Sequence, residues 1–260
     1  MTLRSETAMT IPLQSSVVYG PIDSRRFGKS LGINLLPSDQ KICSFDCLYC
    51  QYGETAINKL GSFPDLGHIH EEVQERLIKS KENKEGLSWI MIAGNGEPTL
   101  HPQFHEAVKL LLSLREAYAP AVPIGILSNS STCHRPDIQD SLLKLDGRFM
   151  KLDAGDTHTF HAINRPISPS VWKEVIGGLY HLHRIVIQSM FVNGAFDNTT
   201  DKAVEDWIRA VQYIQPESVQ VYTVDRPTAD KGILAVPKEK LEAIANRLSD
   251  KAHVSAFVFD

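Results

Sequence analysis

Along the chain, short runs of apolar and β-branched residues alternate with longer stretches whose apolar positions recur every three or four residues. The first kind reads as strand and the second as amphipathic helix, so their order predicts repeated strand–helix units around a parallel sheet. Strands are expected at 31–37, 87–94, 123–129, 147–154, 184–192 and 218–224, with a closing strand at 252–259. The run at 87–94 hardly alternates, as in a strand buried on both faces. Helices are expected at 69–81, where Ile69, Val73, Leu77 and Ile78 fall at helical spacing, and at 101–118, with Phe104, Val108, Leu111 and Leu112 on one face. Further helices are expected at 136–145, 170–182, 201–214 and 238–248. Asp201 stands at the start of the 201–214 helix, where a carboxylate opposes the dipole favourably. Six such units make an α/β single domain, either a doubly wound open sheet or a partial (β/α)6 barrel. Both architectures place their sites at the carboxyl ends of the strands. Residues 1–16 are expected to be a loose N-terminal segment and 17–260 the domain.

Composition narrows the class. With 260 residues, 42% hydrophobic and 22% charged, the chain reads as soluble and globular, not as collagen, coiled coil or a disordered segment. Its longest apolar runs, at 89–93 and 184–192, fall well short of the roughly 20 residues that span a bilayer, so no membrane helix is expected. The first twelve residues carry Glu6 and too little apolar sequence for a secretory signal, which points to the cytoplasm. A net charge of -4 gives little bulk attraction to nucleic acid. A local basic group remains in Arg25, Arg26 and Lys29.

Chemistry concentrates in KICSFDCLYCQYG, where Cys43, Cys47 and Cys50 share one loop. Closely spaced cytosolic cysteines are metal ligands or catalytic groups more often than disulfide partners. Thiolates select zinc or iron–sulfur clusters. A closed structural site wants four ligands, and three leave one coordination position open. The alternative is a structural zinc completed by Cys133 or a histidine, in a module that binds nucleic acid. His101 and His105, four apart on one predicted helix, read as solvated surface.

The CxxxCxxC spacing, with Tyr49 before the third cysteine, resembles the cluster loop of the radical S-adenosylmethionine (SAM) superfamily. AGNGEPTL at the end of the second predicted strand resembles that superfamily's GGE motif. The opening segment from Val17, the KLDAGD after the fourth strand and the VYTVDRP after the sixth are similar to the branch related to the wyosine-base-forming tRNA enzymes. The resemblance implies a partial (β/α)6 barrel of the radical SAM type. It also implies a [4Fe–4S] cluster on Cys43, Cys47 and Cys50, with SAM on the fourth iron. One-electron reduction then yields methionine and a 5′-deoxyadenosyl radical that takes hydrogen from a substrate. Tyr49, Gly94, Asn95, Gly96, Glu97, Asn129, Asp153 and Gln188 would contact the cofactor, Gly94 and Gly96 by letting backbone approach closely. Lys151 stands where relatives often carry serine, and it becomes a candidate substrate ligand. Cys133 is a candidate hydrogen-atom donor. Arg25, Arg26 and Arg226 are candidate grips for a carboxylate or phosphate, since the segment before the first strand is expected to fold back toward the open edge. A one-electron donor of flavodoxin or ferredoxin type is the expected partner, and the substrate is a small molecule or peptide in preference to RNA. The wyosine-forming enzymes use a second cluster, and a single remaining cysteine cannot build one. A non-catalytic iron–sulfur electron carrier is the competing reading, against which GNGEPT stands.

Overall fold

The computed structural model describes residues 11–55, 61–225, 228, 230 and 232–259. The chain opens with an antiparallel hairpin, β1 (Val18–Ser24) and β2 (Gly28–Ile33), followed by the cysteine loop and α1 (Leu66–Glu82). Then come β3 (Trp89–Ile92), a 3-10 turn at Pro98–Leu100, α2 (Phe104–Tyr118), β4 (Ile124–Ser128), α3 (Pro136–Leu142) and β5 (Gly147–Lys151). Two helices, α4 (Thr157–Asn164) and α5 (Val171–His181), precede β6 (Val186–Met190) and the two-residue β7 (Asn193–Gly194). The chain continues through α6 (Asp201–Ile214), β8 (Ser218–Tyr222), β9 (Ile233–Leu234), α7 (Lys238–Ala252) and β10 (Ser255–Phe259).

Eight strands form one sheet in the order β1-β2-β3-β4-β5-β6-β8-β10. All pairs except β1 with β2 are parallel, and β7 pairs with β9 apart from the sheet. The two-sided burial expected of parallel strands divides the core. Ile90, Ile92, Ile126 and Ile187 pack outward into the helix layer. Met91 and Phe149 face inward with Phe27 of the hairpin turn, and Trp89, Leu127 and Val186 pack against them. Phe27 and Phe149 meet edge to face at 4.5 Å between centroids. These inward residues come from four adjacent strands and meet in one cluster, so the sheet is curled around them as an open, partial barrel.

The differences from the sequence reading have local causes. The expected first strand at 31–37 is β2, ending at Ile33, because Asn34 turns the chain. Its Oδ1 accepts from Leu36 N at 3.2 Å and its Nδ2 donates to Leu36 O at 2.9 Å. The hairpin strand β1 and helix α4 have no counterpart in the predicted elements. VYGPIDS carries little apolar alternation, and THTFHAIN is rich in β-branched and histidine residues that favour helix weakly. Of the segment expected to be loose, residues 11–16 are tied down. Ile11 N donates to Gln51 O at 3.0 Å and Gln14 N to Asn95 Oδ1 at 2.8 Å. Residues 1–10 lie outside the described residues.

Candidate active site

The strand ends β3, β4, β5, β6 and β8 open on a cavity of about 330 Å³ that Cys43, Cys47 and Cys50 also line. A larger cleft of about 560 Å³ lies outside the barrel, between the Thr99–Glu106 segment and α3, and it contains no cysteine. Chemistry, not size, selects the first.

The cysteine loop is clamped from two sides. Toward β3, Ile42 N donates to Asn95 O at 2.9 Å and Glu97 N donates to Ile42 O at 2.9 Å, forming a bridge between Ile42 and Gly96. Gly96 has φ of +139°, and a Cβ there would stand 1.8 Å from Ile42 O. Only glycine permits this approach. Toward α4, Asp46 N donates to Asn164 O at 3.1 Å, Leu48 N to Ile163 O at 3.0 Å and Ile167 N to Ser44 O at 2.9 Å. The loop and the GNGEPT turn therefore form one unit, wedged against the end of α4.

Two of the thiols have an amide N–H donor: Asn129 Nδ2 lies 3.4 Å from Cys43 Sγ and Asn164 Nδ2 lies 3.4 Å from Cys47 Sγ. Lys41 lines the same cavity as Cys50. Burial, then the neighbouring Cys47, pushes the Cys43 thiol up to about 12. Burial, then Asp153, pushes Cys47 up to about 11. These thiols become thiolates only when a cationic centre replaces the proton, as metal binding does. Among the described residues no three His, Cys, Asp or Glu side chains gather closely enough to hold one metal ion.

Lys151, at the end of β5, donates to Tyr222 Oη at 2.7 Å and pairs with Asp153 Oδ1 at 3.2 Å. Its Nζ lies 4.7 Å from the Tyr49 ring centroid and 4.8 Å from that of Tyr222. Desolvation works against its charge, but Asp153 and Tyr222 outweigh it and raise the pKa, so the group stays an ammonium. Burial, reinforced by Asp153, raises the Tyr49 phenol well above its usual value, so Tyr49 stays a donor. Arg26 reaches the cavity from the hairpin turn, its guanidinium 4.4 Å over the Tyr222 ring.

The residues singled out from sequence separate into groups. Tyr49, Gly94, Gly96, Glu97, Asn129, Lys151, Gln188 and Arg26 line the cavity with the three cysteines. The Asn95 side chain is turned away from it, donating to Gln14 O at 2.9 Å and Pro37 O at 2.8 Å, and so anchors the N-terminal segment. Asp153 lies beneath the cavity floor, accepting from Tyr49, from Asn164 Nδ2 at 2.6 Å and from Met190 N at 2.7 Å. Glu97 is a buried hub, accepting from Thr99 Oγ1 at 2.6 Å, Ser128 Oγ at 3.0 Å and Asn129 N at 2.6 Å. Cys133 does not line the cavity. The candidate hydrogen-atom donor is fully buried, donating weakly to Val175 O at 3.8 Å beneath α5. Arg25 is engaged outside the cavity with Asp225 Oδ2 at 2.8 Å. Arg226 lies outside the described residues. His101 is buried, with Nε2 2.9 Å from Pro64 O, not on a solvated surface. Sequence reasoning did not pick out Lys41, Asn164 or Tyr222. Lys41 is two positions from Cys43 and could have been flagged by that, whereas the other two become neighbours only through the fold.

The family model described as Radical SAM superfamily matches residues 38–214. The chain is 30% identical over 247 residues to a UPF0026 protein of Methanocaldococcus jannaschii, covering 91% of this chain and 73% of that protein. It is 29% identical over 235 residues to a Brachyspira hyodysenteriae protein named GTPase Obg, covering 88% of this chain but spanning only a third, 33%, of that protein. Among solved structures it resembles a radical SAM methyltransferase from Sphaerobacter thermophilus, with a TM-score of 0.65, 15% identity, and 88% and 65% of the two chains covered. It also resembles TYW1 with a lysine-pyruvate adduct bound, with a TM-score of 0.61, 14% identity, and 86% and 74% covered. At these identities the solved structures speak for the fold.

Proposed function

The chain belongs to the radical SAM superfamily, and on that footing we propose an enzyme that holds a [4Fe–4S] cluster on Cys43, Cys47 and Cys50. The cavity that these cysteines line would hold SAM, and the substrate is a small molecule carrying a carboxylate or phosphate. One observation supports this reading most: the Ile42–Gly96 bridge, which makes the cysteine loop and the GNGEPT turn a single unit at the cavity mouth. The donor set fits a cluster, with three thiols on one loop and amide N–H donors at Cys43 and Cys47. When bound, cluster and SAM supply one-electron cleavage of a carbon–sulfur bond and, from it, hydrogen abstraction.

The remaining steps fall to the protein's own residues. Gly94 and Gly96 let the turn pack tightly against its own neighbours, because a Cβ at Gly94 would stand 2.2 Å from Asn34 Oδ1 and one at Gly96 1.8 Å from Ile42 O. Lys151 and Arg26 place two cations around Tyr222, an arrangement suited to an oxyanion. Lys151 acts as an ammonium donor and not as a nucleophile, so no adduct of the kind described for TYW1 is proposed at it. With four cysteines in the chain and Cys133 enclosed beneath α5, no second cluster is proposed, and neither is wyosine formation. A flavodoxin- or ferredoxin-type protein supplies the electron.

The test is anaerobic reconstitution. The expected result is about four iron and four sulfide per chain, reduced in each of Cys43→Ala, Cys47→Ala and Cys50→Ala. Stoichiometric zinc in place of iron would overturn the proposal.

A further inference from the structure

Three side-chain N–H groups, with Lys41 and Asn164 buried and Asn129 half-buried, gather at the cysteine loop in a way that ligand binding alone does not require. They come from separate parts of the chain: Lys41 precedes the loop, Asn129 follows β4, and Asn164 ends α4. Yet Asn129 meets Cys43 at 3.4 Å and Asn164 meets Cys47 at 3.4 Å, and Lys41 lines the same cavity as Cys43 and Cys50. Lys41 is only 4% exposed. Its Nζ donates to Gly53 O at 2.7 Å and to Asp46 Oδ1 at 3.3 Å. Asp46 is a partly exposed partner, its side chain 35% accessible, so one screened carboxylate faces a buried ammonium. A buried charge is costly unless it is paired, and the thiolates of Cys43 and Cys50 would complete the pairing once they hold a cluster.

We propose that Lys41, Asn129 and Asn164 set the reduction potential of the cluster held by Cys43, Cys47 and Cys50, with Lys41 contributing most. This rests on the reading that the loop binds a cluster. Reduction moves one electron from the donor protein onto the cluster and makes its thiolate sulfurs more negative. N–H donors and a nearby cation stabilise that reduced form more than the oxidised one, which raises the potential. Lys41 exceeds the two amides because it brings a full positive charge to the cavity that Cys43 and Cys50 line. All three are positioning residues, since they act through the sulfurs.

The experiment is a redox titration of the reconstituted cluster, followed by electron paramagnetic resonance, in the full chain and in Lys41→Met, Lys41→Arg and Asn129→Ala. Lys41→Met should keep its iron and show a more negative midpoint, Lys41→Arg should return toward the parent value, and Asn129→Ala should shift less in the same direction. If Lys41→Met fails to load, Asn129→Ala decides. Unmoved midpoints in the iron-loaded variants overturn the proposal, and so does loss of iron from both Lys41→Met and Asn129→Ala, which would assign these residues to cluster retention. A parent chain that takes up no cluster overturns the proposed function itself, and this inference with it.

Discussion

At the scale of single residues, the contrast between Cys133 and the loop cysteines is the sharpest. Cys133 is fully buried under α5, and the three loop thiols line a cavity. Cys133→Ala should therefore retain full iron content and lose stability only through a small cavity, while any loop cysteine change should lose iron with little change in stability. Iron analysis and urea denaturation of the four variants check this, and iron loss on changing Cys133 would move the site. Gly96 gives a second residue-scale prediction. A Cβ there would stand 1.8 Å from Ile42 O, so Gly96→Ala must break the bridge that docks the loop. The variant should stay folded by circular dichroism yet take up less iron than the parent. Normal uptake would mean that the bridge does not position the thiols. Both the cysteine spacing and GNGEPT were legible in the sequence because they are local. The Tyr222 and Asn164 contacts were not, since 71 residues separate Tyr222 from Lys151 and 117 separate Asn164 from Cys47.

Among the elements, α4 matters out of proportion to its eight residues. Its last residue, Asn164, supports Cys47, and its first turn is capped by Asp156, whose side chain accepts from Thr159 N at 3.0 Å. Burial opposes the Asp156 charge, but the Thr159 hydrogen bonds outweigh it and hold the carboxyl below its usual value. A carboxylate whose folded pKa is depressed contributes stability above its unfolded value, near 3.9, and that contribution is lost as pH falls through the folded value. Asp156→Ala should thus cost about 0.5–2 kcal/mol at pH 7, with the difference from the parent shrinking in strongly acid solution. Urea midpoints across pH measure it, and a pH-independent difference would remove the capping role. The helix escaped the sequence reading because its apolar positions are few and its residues weak helix formers. By contrast, α6 was legible to the residue, since DKAVEDWIRAVQYI carries a continuous buried face from Ala203 to Ile214. Strand β1 escaped for a related reason, although the resemblance implied that its segment folds back toward the open edge, where Arg26 reaches Tyr222 and Arg25 reaches Asp225.

For the molecule as a whole, the parallel sheet, the inward aromatic cluster and the strand ends converge on one cavity, and the loop that carries the thiols closes over it. No helix among the described residues is long and apolar enough to cross a membrane. The order of strands and helices made this architecture readable in advance, because the alternation of apolar patterns follows the parallel sheet directly. What it left open, a flat doubly wound sheet or a curled one, is settled by Met91, Phe149 and Phe27 packing together on the inner face. The central claim is that this cavity runs SAM-dependent radical chemistry. It is tested most directly by incubating the anaerobically reconstituted chain with SAM and a strong reductant and quantifying 5′-deoxyadenosine and methionine. Both products should form at a slow, uncoupled rate that vanishes in Cys50→Ala, and a fully loaded and reduced sample that forms neither would leave an electron carrier.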